Sequence, residues 1–333
     1  MVKKIGIILF LCVLLAYPIR YVRSEAAQNN PPKTIDPNNP AGASAPEPDK
    51  AAISDPNQSN TNIVSEEQDD MILPGQSPLP ELYKACEIIY GQYVNDKGEV
   101  NYSLLRRKRS DLNNILSYLK RVHPVQIMAM NDAEKQAFWI NTYNLCTLKL
   151  IIDNYPIQPK WYMILYPNNS IMQISDPWTK NYFEIQGFQY NLQEIEQELL
   201  LQRFKDPRIC FALSNATRGG AVLRKEPYRA ETLSDQLDDQ VKKFLASPHG
   251  LTIDTDTKTV YISNLFNIHR ELFLKSKYAE IKKFRQRKPD EKAWLNFMVF
   301  FVSDTDKSFL ENNDVILKFK KFEWELNEFT ASQ

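Results

Sequence analysis

The segment from Asp206 to Leu223 has the composition of a reactive loop. It reads DPRICFALSNATRGGAVL, an apolar run followed by small and polar residues that end in Gly219 and Gly220. This pattern predicts a buried strand or helix end that leads into a tight turn, whose exposed backbone N–H groups could hold an anion or a carbonyl oxygen. Asp206 is the only carboxylate in the segment, and the segment contains no histidine.

The candidate nucleophiles in this segment are Cys210, Ser214 and Thr217, and His269 is the histidine that we consider as their base. A thiol or hydroxyl needs a neighbouring base to attack. Cys210 lies in the apolar run, where burial would raise its pKa and favour an inert thiol. Because no set of His, Cys and carboxylate residues shows ligand spacing, we expect no metal and no cofactor.

The helical block from Ala137 to Asn144 contains aromatic residues together with two asparagines, Asn141 and Asn144. Its amides either line a pocket or bond to backbone groups of the segment from Asp206 to Leu223. The second alternative places the block against that segment. The candidate binding residues are Asn141, Tyr143, Asn144, Asn215, Arg218, Gly219 and Gly220.

The N-terminus has the pattern of a secretory signal. Two lysines precede an almost wholly apolar run over residues 5–19, and small residues follow at Ser24 and Ala26. We predict a signal peptide over residues 1–26 and a secreted, periplasmic or lumenal protein. The alternative is an uncleaved signal anchor, because Arg20 and Arg23 balance the lysines across the run.

Residues 27–76 are rich in Pro, Asn and Ser and have no periodic apolar pattern, which predicts a disordered tether. Residues 77–330 hold nearly all the aromatic residues and predict one folded domain. The formal net charge of the chain is zero, which gives no attraction to nucleic acid. Without the leader, three cysteines lacking CxxC spacing remain, which argues against a disulfide framework.

Apolar periodicity predicts an α+β fold: a predominantly helical single domain with a small antiparallel sheet. A long helix capped at Asn131 should end before Pro156. The other predicted helices cover residues 82–93, 110–122, 192–201, 233–245, 265–275, 278–287 and 292–302. The predicted strands are a hairpin at 182–190, a strand pair at 252–262 and a strand at 315–319.

Six blocks of sequence, in order along the chain, resemble the domain-of-unknown-function 547 family. They read GEVNY from Gly98, AFWINTYN from Ala137, LQEIEQ from Leu192, DPRICFALSNATRGGAVL from Asp206, YRAETL from Tyr228 and FEWELN from Phe322. Together they span the predicted domain, and AFWINTYN is the most specific. The family is largely uncharacterised, and its histidine and cysteines suggest a thiol hydrolase.

This chain departs from the family at the residues that could carry such chemistry. Cys210 stands where the family has a histidine, Ser214 where it has an asparagine, and Asn215 and Gly220 where it has cysteines. Gln197 replaces a further histidine, and the block from Ile268 to Phe273 lacks the family's Trp and Asp. An asparagine side chain has no ionisable proton near neutral pH and is a poor nucleophile.

The resemblance and its departures together favour an exported, non-catalytic binding or partner-interaction domain, that is, a pseudoenzyme. The alternative is a hydrolase with a rearranged Cys or Ser nucleophile. The partner is unknown and is either a small molecule or a protein, and we expect membrane contact only if the signal is uncleaved.

Limited proteolysis tests the predicted domain boundary. Because only the part that begins near Pro78 can bury a core, protease should cut rapidly between about Ala27 and Gly75 and leave a resistant fragment. N-terminal sequencing of that fragment should place its start near Pro78. Equal protection of residues 27–75 would contradict the boundary.

Overall fold

The computed structural model describes residues 76–330, all of which belong to the contact unit Met71–Gln333. The predicted signal peptide, and the predicted tether except its last residue, lie outside the described residues. Helices dominate the described part, and two small sheets accompany them. This confirms the predicted α+β, mostly helical class. None of the described helices is long and apolar enough to cross a membrane.

The first half of the domain consists of helices packed around one central helix. They are α1 (Leu79–Tyr93), α2 (Tyr102–Arg107), α3 (Ser110–Arg121), α4 (Pro124–Ala129) and α5 (Asp132–Asn154). Asn131 and Glu134 form a capping box at the start of α5, which satisfies the free N–H groups there. Every residue from Ala137 to Leu148 is buried, so α5 is surrounded by protein on all sides. The predicted capped helix is confirmed.

The second half contains shorter helices. They are α6 (Leu192–Glu194), α7 (Gln202–Phe204), α8 (Leu233–Ala246), α9 (Leu265–Ile268), α10 (Arg270–Leu274), α11 (Lys277–Glu280), α12 (Pro289–Met298) and α13 (Asp304–Asn312). Between α6 and α7 the chain forms a π-helix over Ile195–Leu201, and Pro207–Phe211 forms a 3-10 turn. Sequence analysis predicted an ordinary helix in place of the π-helix and did not predict the helices α2, α4 and α13.

Each sheet is small. The strands β1 (Tyr182–Ile185) and β2 (Phe188–Asn191) form the predicted hairpin, and both residues of its turn have positive φ, as a type I′ turn requires. The strands β3 (Leu251–Asp254) and β4 (Thr259–Ile262) pair antiparallel, while β5 (Ile316–Phe319) joins β4 in parallel. The predicted strands are confirmed, but the second sheet is mixed rather than wholly antiparallel.

An aromatic cluster fixes the 3-10 turn against α12. The Phe297 ring lies 5.6 Å from the Phe211 ring, stacked at 13°, and 5.2 Å from the Phe273 ring, edge-on. Both arrangements are favourable for aromatic pairs. The cluster therefore positions the turn that carries Cys210.

The predicted helix over residues 278–287 is wrong beyond Glu280. The buried Asn296 amide donates to the carbonyl of Tyr278 at 3.1 Å and to that of Ile281 at 3.2 Å. These carbonyls are therefore satisfied by a side chain from α12 instead of by a continuing helix. Phe284 then adopts φ of 54°, which an α-helix cannot contain.

The C-terminal segment, residues 322–329, crosses the domain in an extended course. Its backbone bonds to three separate parts of the chain: Val100 donates to Asn327 at 2.8 Å, Leu326 donates to Asn169 at 2.9 Å, and Asn327 donates to Ala216 at 3.1 Å. Sequence analysis gave no prediction for this segment. It joins regions that lie more than a hundred residues apart and covers the segment from Asp206 to Leu223.

Candidate functional site

Two asparagines connect α5 to the opposing chain. The Asn144 amide donates to the carbonyl of Ala212 at 3.0 Å, and its oxygen accepts from the N–H of Ser214 at 2.9 Å. Asn141 does the same with Tyr228, donating to its carbonyl at 2.7 Å and accepting from its N–H at 3.0 Å. Both side chains are thus engaged by backbone groups, which leaves neither free to orient a ligand. Asn144 places α5 against the segment from Asp206 to Leu223.

The turn from Asn215 to Gly220 is closed. Gly219 N–H donates to the carbonyl of Glu323 and Arg218 N–H donates to that of Glu325, each at 2.9 Å. The expectation of exposed N–H groups is therefore wrong at these two positions, because carbonyls of the C-terminal segment already accept their hydrogens. Within the turn, Thr217 donates its hydroxyl to the Asn215 side chain at 2.6 Å. Ser214 and Thr217 are both buried.

The two glycines are required by close approach and not by a left-handed turn, since neither has a positive φ. A Cβ on Gly219 would lie 2.6 Å from the Glu323 nitrogen, and one on Gly220 would lie 2.1 Å from the Asn215 side-chain oxygen. Both distances are far inside van der Waals contact. A concavity of about 90 Å³ borders Gly219, with His249 and Glu323 in its lining. It is smaller than ordinary small-molecule sites of roughly 300 Å³ or more.

Four ionisable side chains from four elements meet in the interior of the domain, and we call them the buried cluster. Tyr143 comes from α5, Glu196 from the π-helix, Cys210 from the 3-10 turn and His269 from the junction of α9 and α10. Nδ1 of His269 lies 3.7 Å from Oε1 of Glu196, and their side chains are 9% and 16% exposed. Gln197 donates to Oε1 of Glu196 at 3.0 Å. The cluster therefore contains a carboxyl group and an imidazole with little access to water.

Burial controls the charges in the buried cluster. It raises the pKa of Glu196 to about 7, although hydrogen bonds from Gln197 and Tyr143 act in the opposite direction. It also lowers the pKa of His269 to about 4. Between these pH values both groups are neutral, so the short distance between them is a contact and not an ion pair. Removing both charged groups from water would cost more free energy than their mutual attraction would recover.

Cys210 is a buried thiol. Its Sγ donates to the carbonyl of Pro207 at 3.0 Å, and only 2% of the residue is exposed. Burial raises the pKa of the thiol well above its usual value, and the carboxylates of Glu196 and Asp206 raise it further. A thiolate needs a nearby positive charge, and these neighbours carry the opposite charge.

The other charged, histidine and cysteine residues that could take part in chemistry have structural roles. The Asp206 carboxylate binds the Arg208 guanidinium, which also reaches Asp238 on α8 at 2.6 Å. His123 caps α4 by accepting from the N–H of Val125. Among residues 76–330, no group of three or more His, Cys, Asp or Glu side chains could hold a metal ion. The cysteines at positions 86, 146 and 210 are free and buried.

Glu196 is the site residue that sequence analysis did not select. Its spacing in the predicted amphipathic helix gave no sign of burial. The π-helix inserts extra residues into the turn, and Glu196 there meets His269 from a part of the chain more than seventy residues later. Its place in the block LQEIEQ was the one available signal.

Substitution of the turn glycines tests the contact with the C-terminal segment. Gly219→Ala should lower the free energy of unfolding by about 1–3 kcal/mol, because its Cβ must displace the backbone of Glu323. Gly91→Ala is the matched control: it lies in α1 with no atom within 4 Å of the added Cβ, so it should be neutral or stabilising by up to about 1 kcal/mol. Denaturant unfolding measures both. Equal effects would contradict the close contact.

The raised pKa of Glu196 predicts a pH-dependent stability. The group stabilises the fold fully when protonated, below its ordinary pKa near 4.5, and this contribution disappears as pH rises through about 7. Glu196→Gln stays neutral, so its stability relative to the natural protein should rise between pH 5 and pH 8 by about 2 kcal/mol. Both proteins keep His269, whose effect largely cancels in the comparison. Denaturant unfolding at the two pH values measures the change.

The exposed Glu198, on the same π-helix, supplies the control. Glu198→Gln should show the same difference from the natural protein at both pH values. If Glu196→Gln behaves in the same way, the carboxyl group of Glu196 is solvated and the description of the buried cluster is incorrect.

In a comparison with known proteins, one part of the chain matches a family model. The model of the family DUF547, described as a protein of unknown function, matches residues 127–245. No curated protein and no solved structure matches the chain. The matched range contains α5, the π-helix, the turn from Asn215 to Gly220 and α8, whereas His269 and the C-terminal segment lie outside it. The similarity of this chain to DUF547, a family of proteins of unknown function, therefore covers residues 127–245.

Proposed function

We propose that this protein is an exported, non-catalytic binding or partner-interaction domain, a pseudoenzyme within its family. One observation carries the proposal: the C-terminal segment occupies the face of the turn from Asn215 to Gly220 at which a substrate would bind. Its carbonyls accept the N–H groups of Arg218 and Gly219. Those N–H groups cannot at the same time stabilise an oxyanion, which needs free donors aimed at it.

The proton chemistry of the buried cluster supports the same proposal. An attack by Cys210 requires its proton to pass to a base, and His269 is the imidazole of the buried cluster. The thiol has a pKa above its usual value of 9.0, whereas His269 has a pKa of about 4. Burial therefore makes the transfer of a proton from the Cys210 thiol to the His269 imidazole unfavourable. This free-energy cost opposes covalent catalysis by Cys210.

Export rests on the N-terminal sequence. The charged start, the apolar run over residues 5–19 and the small residues at Ser24 and Ala26 support a cleaved signal. In the alternative, the uncleaved signal anchors the same domain to a membrane. Recovery of the chain with its N-terminus near Ala27 favours the first.

A hydrolase with a rearranged nucleophile is the second candidate function. The observation in its favour is that Cys210 and His269 both neighbour Glu196, so a thiol, an imidazole and a carboxyl group share one interior. Ser214 and Thr217, the other candidate nucleophiles, are both buried, and the N–H of Ser214 donates to the Asn144 side chain. This mechanism requires an opening of the interior that gives a substrate access and allows the thiol to ionise.

Thiol labelling separates the two candidates. In the folded protein at neutral pH, a disulfide reagent such as Ellman's should react slowly with Cys210, because burial opposes both access and ionisation. Cys210→Ala should therefore leave the labelling rate unchanged and lower the free energy of unfolding by about 1 kcal/mol. Cys86→Ala, another buried thiol, is the matched control.

A fast-reacting thiol that disappears in Cys210→Ala and persists in Cys86→Ala would overturn the non-catalytic proposal. The comparison of variants also removes any contribution from Cys12 in the leader. Near-UV circular dichroism establishes that each variant is folded.

A further inference from the structure

A loop between α5 and β1 carries large apolar side chains into solvent. We call residues 157–166 the apolar loop. Trp161 is 87% exposed, Ile164 is 82% exposed and Leu165 is 81% exposed, and Tyr162 beside them is 56% exposed. Scattered exposed apolar residues are normal, but such a concentration at one place marks an interaction surface.

The apolar loop is held in shape by a buried side chain. The Gln173 oxygen accepts from the N–H of Lys160 at 2.8 Å, and its amide nitrogen donates to the carbonyls of Met163 at 3.3 Å and Tyr166 at 3.4 Å. Gln173 itself is 3% exposed. The ring of Tyr166 packs edge-on against Trp324 at 5.7 Å. The base of the loop is thus tied to the core, while its large side chains project outward.

Positive charge lies within the apolar loop and near its start in the chain. Between Asp153 and Asp176, Lys160 is the only charged residue. At the end of α2, a groove of about 430 Å³ is lined by Ser103, Arg106, Arg107, Arg109 and Tyr155. We call this the basic groove.

The arginines of the basic groove and the adjacent Lys108 face solvent. Arg106, Arg107, Lys108 and Arg109 are all exposed, and within residues 76–330 none of them forms an ion pair. Other arginines of the domain, such as Arg208, are paired with carboxylates. The basic groove therefore presents three arginines to solvent, with the carboxylate of Glu328 hydrogen-bonded to its Tyr155.

Tyr155 lies between the apolar loop and the arginines of the basic groove along the chain. It lines the basic groove, and its ring lies 6.4 Å from that of Tyr102 at the start of α2. Trp161 follows Tyr155 by six residues, a span of at most roughly 20 Å. The chain therefore holds Trp161 of the apolar loop within roughly 20 Å of the Tyr155 backbone at the basic groove.

We propose that the apolar loop and the basic groove dock this domain on an anionic lipid bilayer. Trp161, Ile164 and Leu165 enter the boundary between headgroups and acyl chains, where amphipathic aromatic rings are favoured. The cations of the basic groove face the headgroup phosphates, and each strengthens binding about fivefold at an anionic surface.

A bilayer fits this surface better than a protein does. A stable protein interface buries about 800 Å² on each partner, and the tip of one loop with a few large side chains offers much less. Membrane docking needs only shallow apolar insertion combined with charge attraction. The expectation that the chain meets a membrane only through an uncleaved signal is thereby replaced by contact through the folded domain.

The inference rests on the proposed function in one respect: it names the partner of the interaction domain. The proposed function and the lipid-docking proposal can be contradicted by separate experiments. Thiol labelling reports on the interior around Cys210, whereas the lipid measurement reports on a surface loop in another part of the fold.

The test measures the contact of Trp161 with lipid in the full chain. Since the apolar run over residues 5–19 could itself bring the chain to vesicles, the signal must be local. Brominated acyl chains quench tryptophans that touch them, and the difference between the natural protein and Trp161→Phe isolates Trp161. We expect this quenching with vesicles of phosphatidylcholine and phosphatidylglycerol, and its loss with phosphatidylcholine alone or in high salt.

Paired variants separate the two parts of the surface. Ile164→Ser with Leu165→Ser should raise the lipid concentration at half-maximal quenching at least about tenfold. Arg107→Gln with Arg109→Gln should raise it about twentyfold. Met128→Ser, which removes another apolar side chain that is 75% exposed, and the double variant Lys282→Gln with Lys288→Gln, at exposed sites elsewhere, are the matched controls and should leave it unchanged.

Absence of lipid-dependent quenching of Trp161 on the anionic vesicles would overturn the proposal. Control variants that weaken quenching as much as the loop and groove variants would overturn it too, because the contact would then not be specific to this surface. All substituted residues are exposed, so folding is preserved, and near-UV circular dichroism checks this for each variant.

Discussion

The interior of this domain holds its polar groups mostly where protein atoms replace their hydration. The helix α5 shows this constraint most clearly, since its middle is buried on all sides and still carries two buried amide side chains. Asn141 and Asn144 each accept from one backbone N–H and donate to one carbonyl of the chain opposite. Leaving either amide unpaired would cost about 1–3 kcal/mol. These bonds fix the position of Tyr228 and of the segment from Asp206 to Leu223, and the rest of the site is built on that arrangement.

The same loss of hydration determines the chemistry of the buried cluster. It raises the pKa of Glu196 to about 7 and lowers that of His269 to about 4, so the interior disfavours both charges. It also keeps the Cys210 thiol protonated. In an open active site, a nearby positive charge or water would offset this effect. Here the neighbours of the thiol are carboxyl groups, and the cluster holds neutral groups instead of an activated nucleophile.

The domain is closed on one face and exposes unsatisfied groups on another. The C-terminal segment accepts hydrogen bonds from the N–H groups of Arg218 and Gly219 and thereby closes the turn from Asn215 to Gly220. The apolar loop and the basic groove have the opposite character, with apolar side chains such as Trp161 and several arginines in solvent. The proposed non-catalytic interior and the proposed docking surface are consistent with each other. Both the closed face and the exposed face follow from which polar and apolar groups contact partners within the chain.

The sequence by itself determined the features that depend on neighbouring residues. The capping box at Asn131, the periodicity of α5 and the turn of the β1–β2 hairpin could all be predicted, because capping and periodicity act within a few residues. Only the tertiary structure decided the covering of Gly219 by the C-terminal segment and the contact of Glu196 with His269. The first requires pairing across about a hundred residues, and the second requires a π-helix turned toward a distant loop. Desolvation depends on everything that packs around a group, and no local pattern records it.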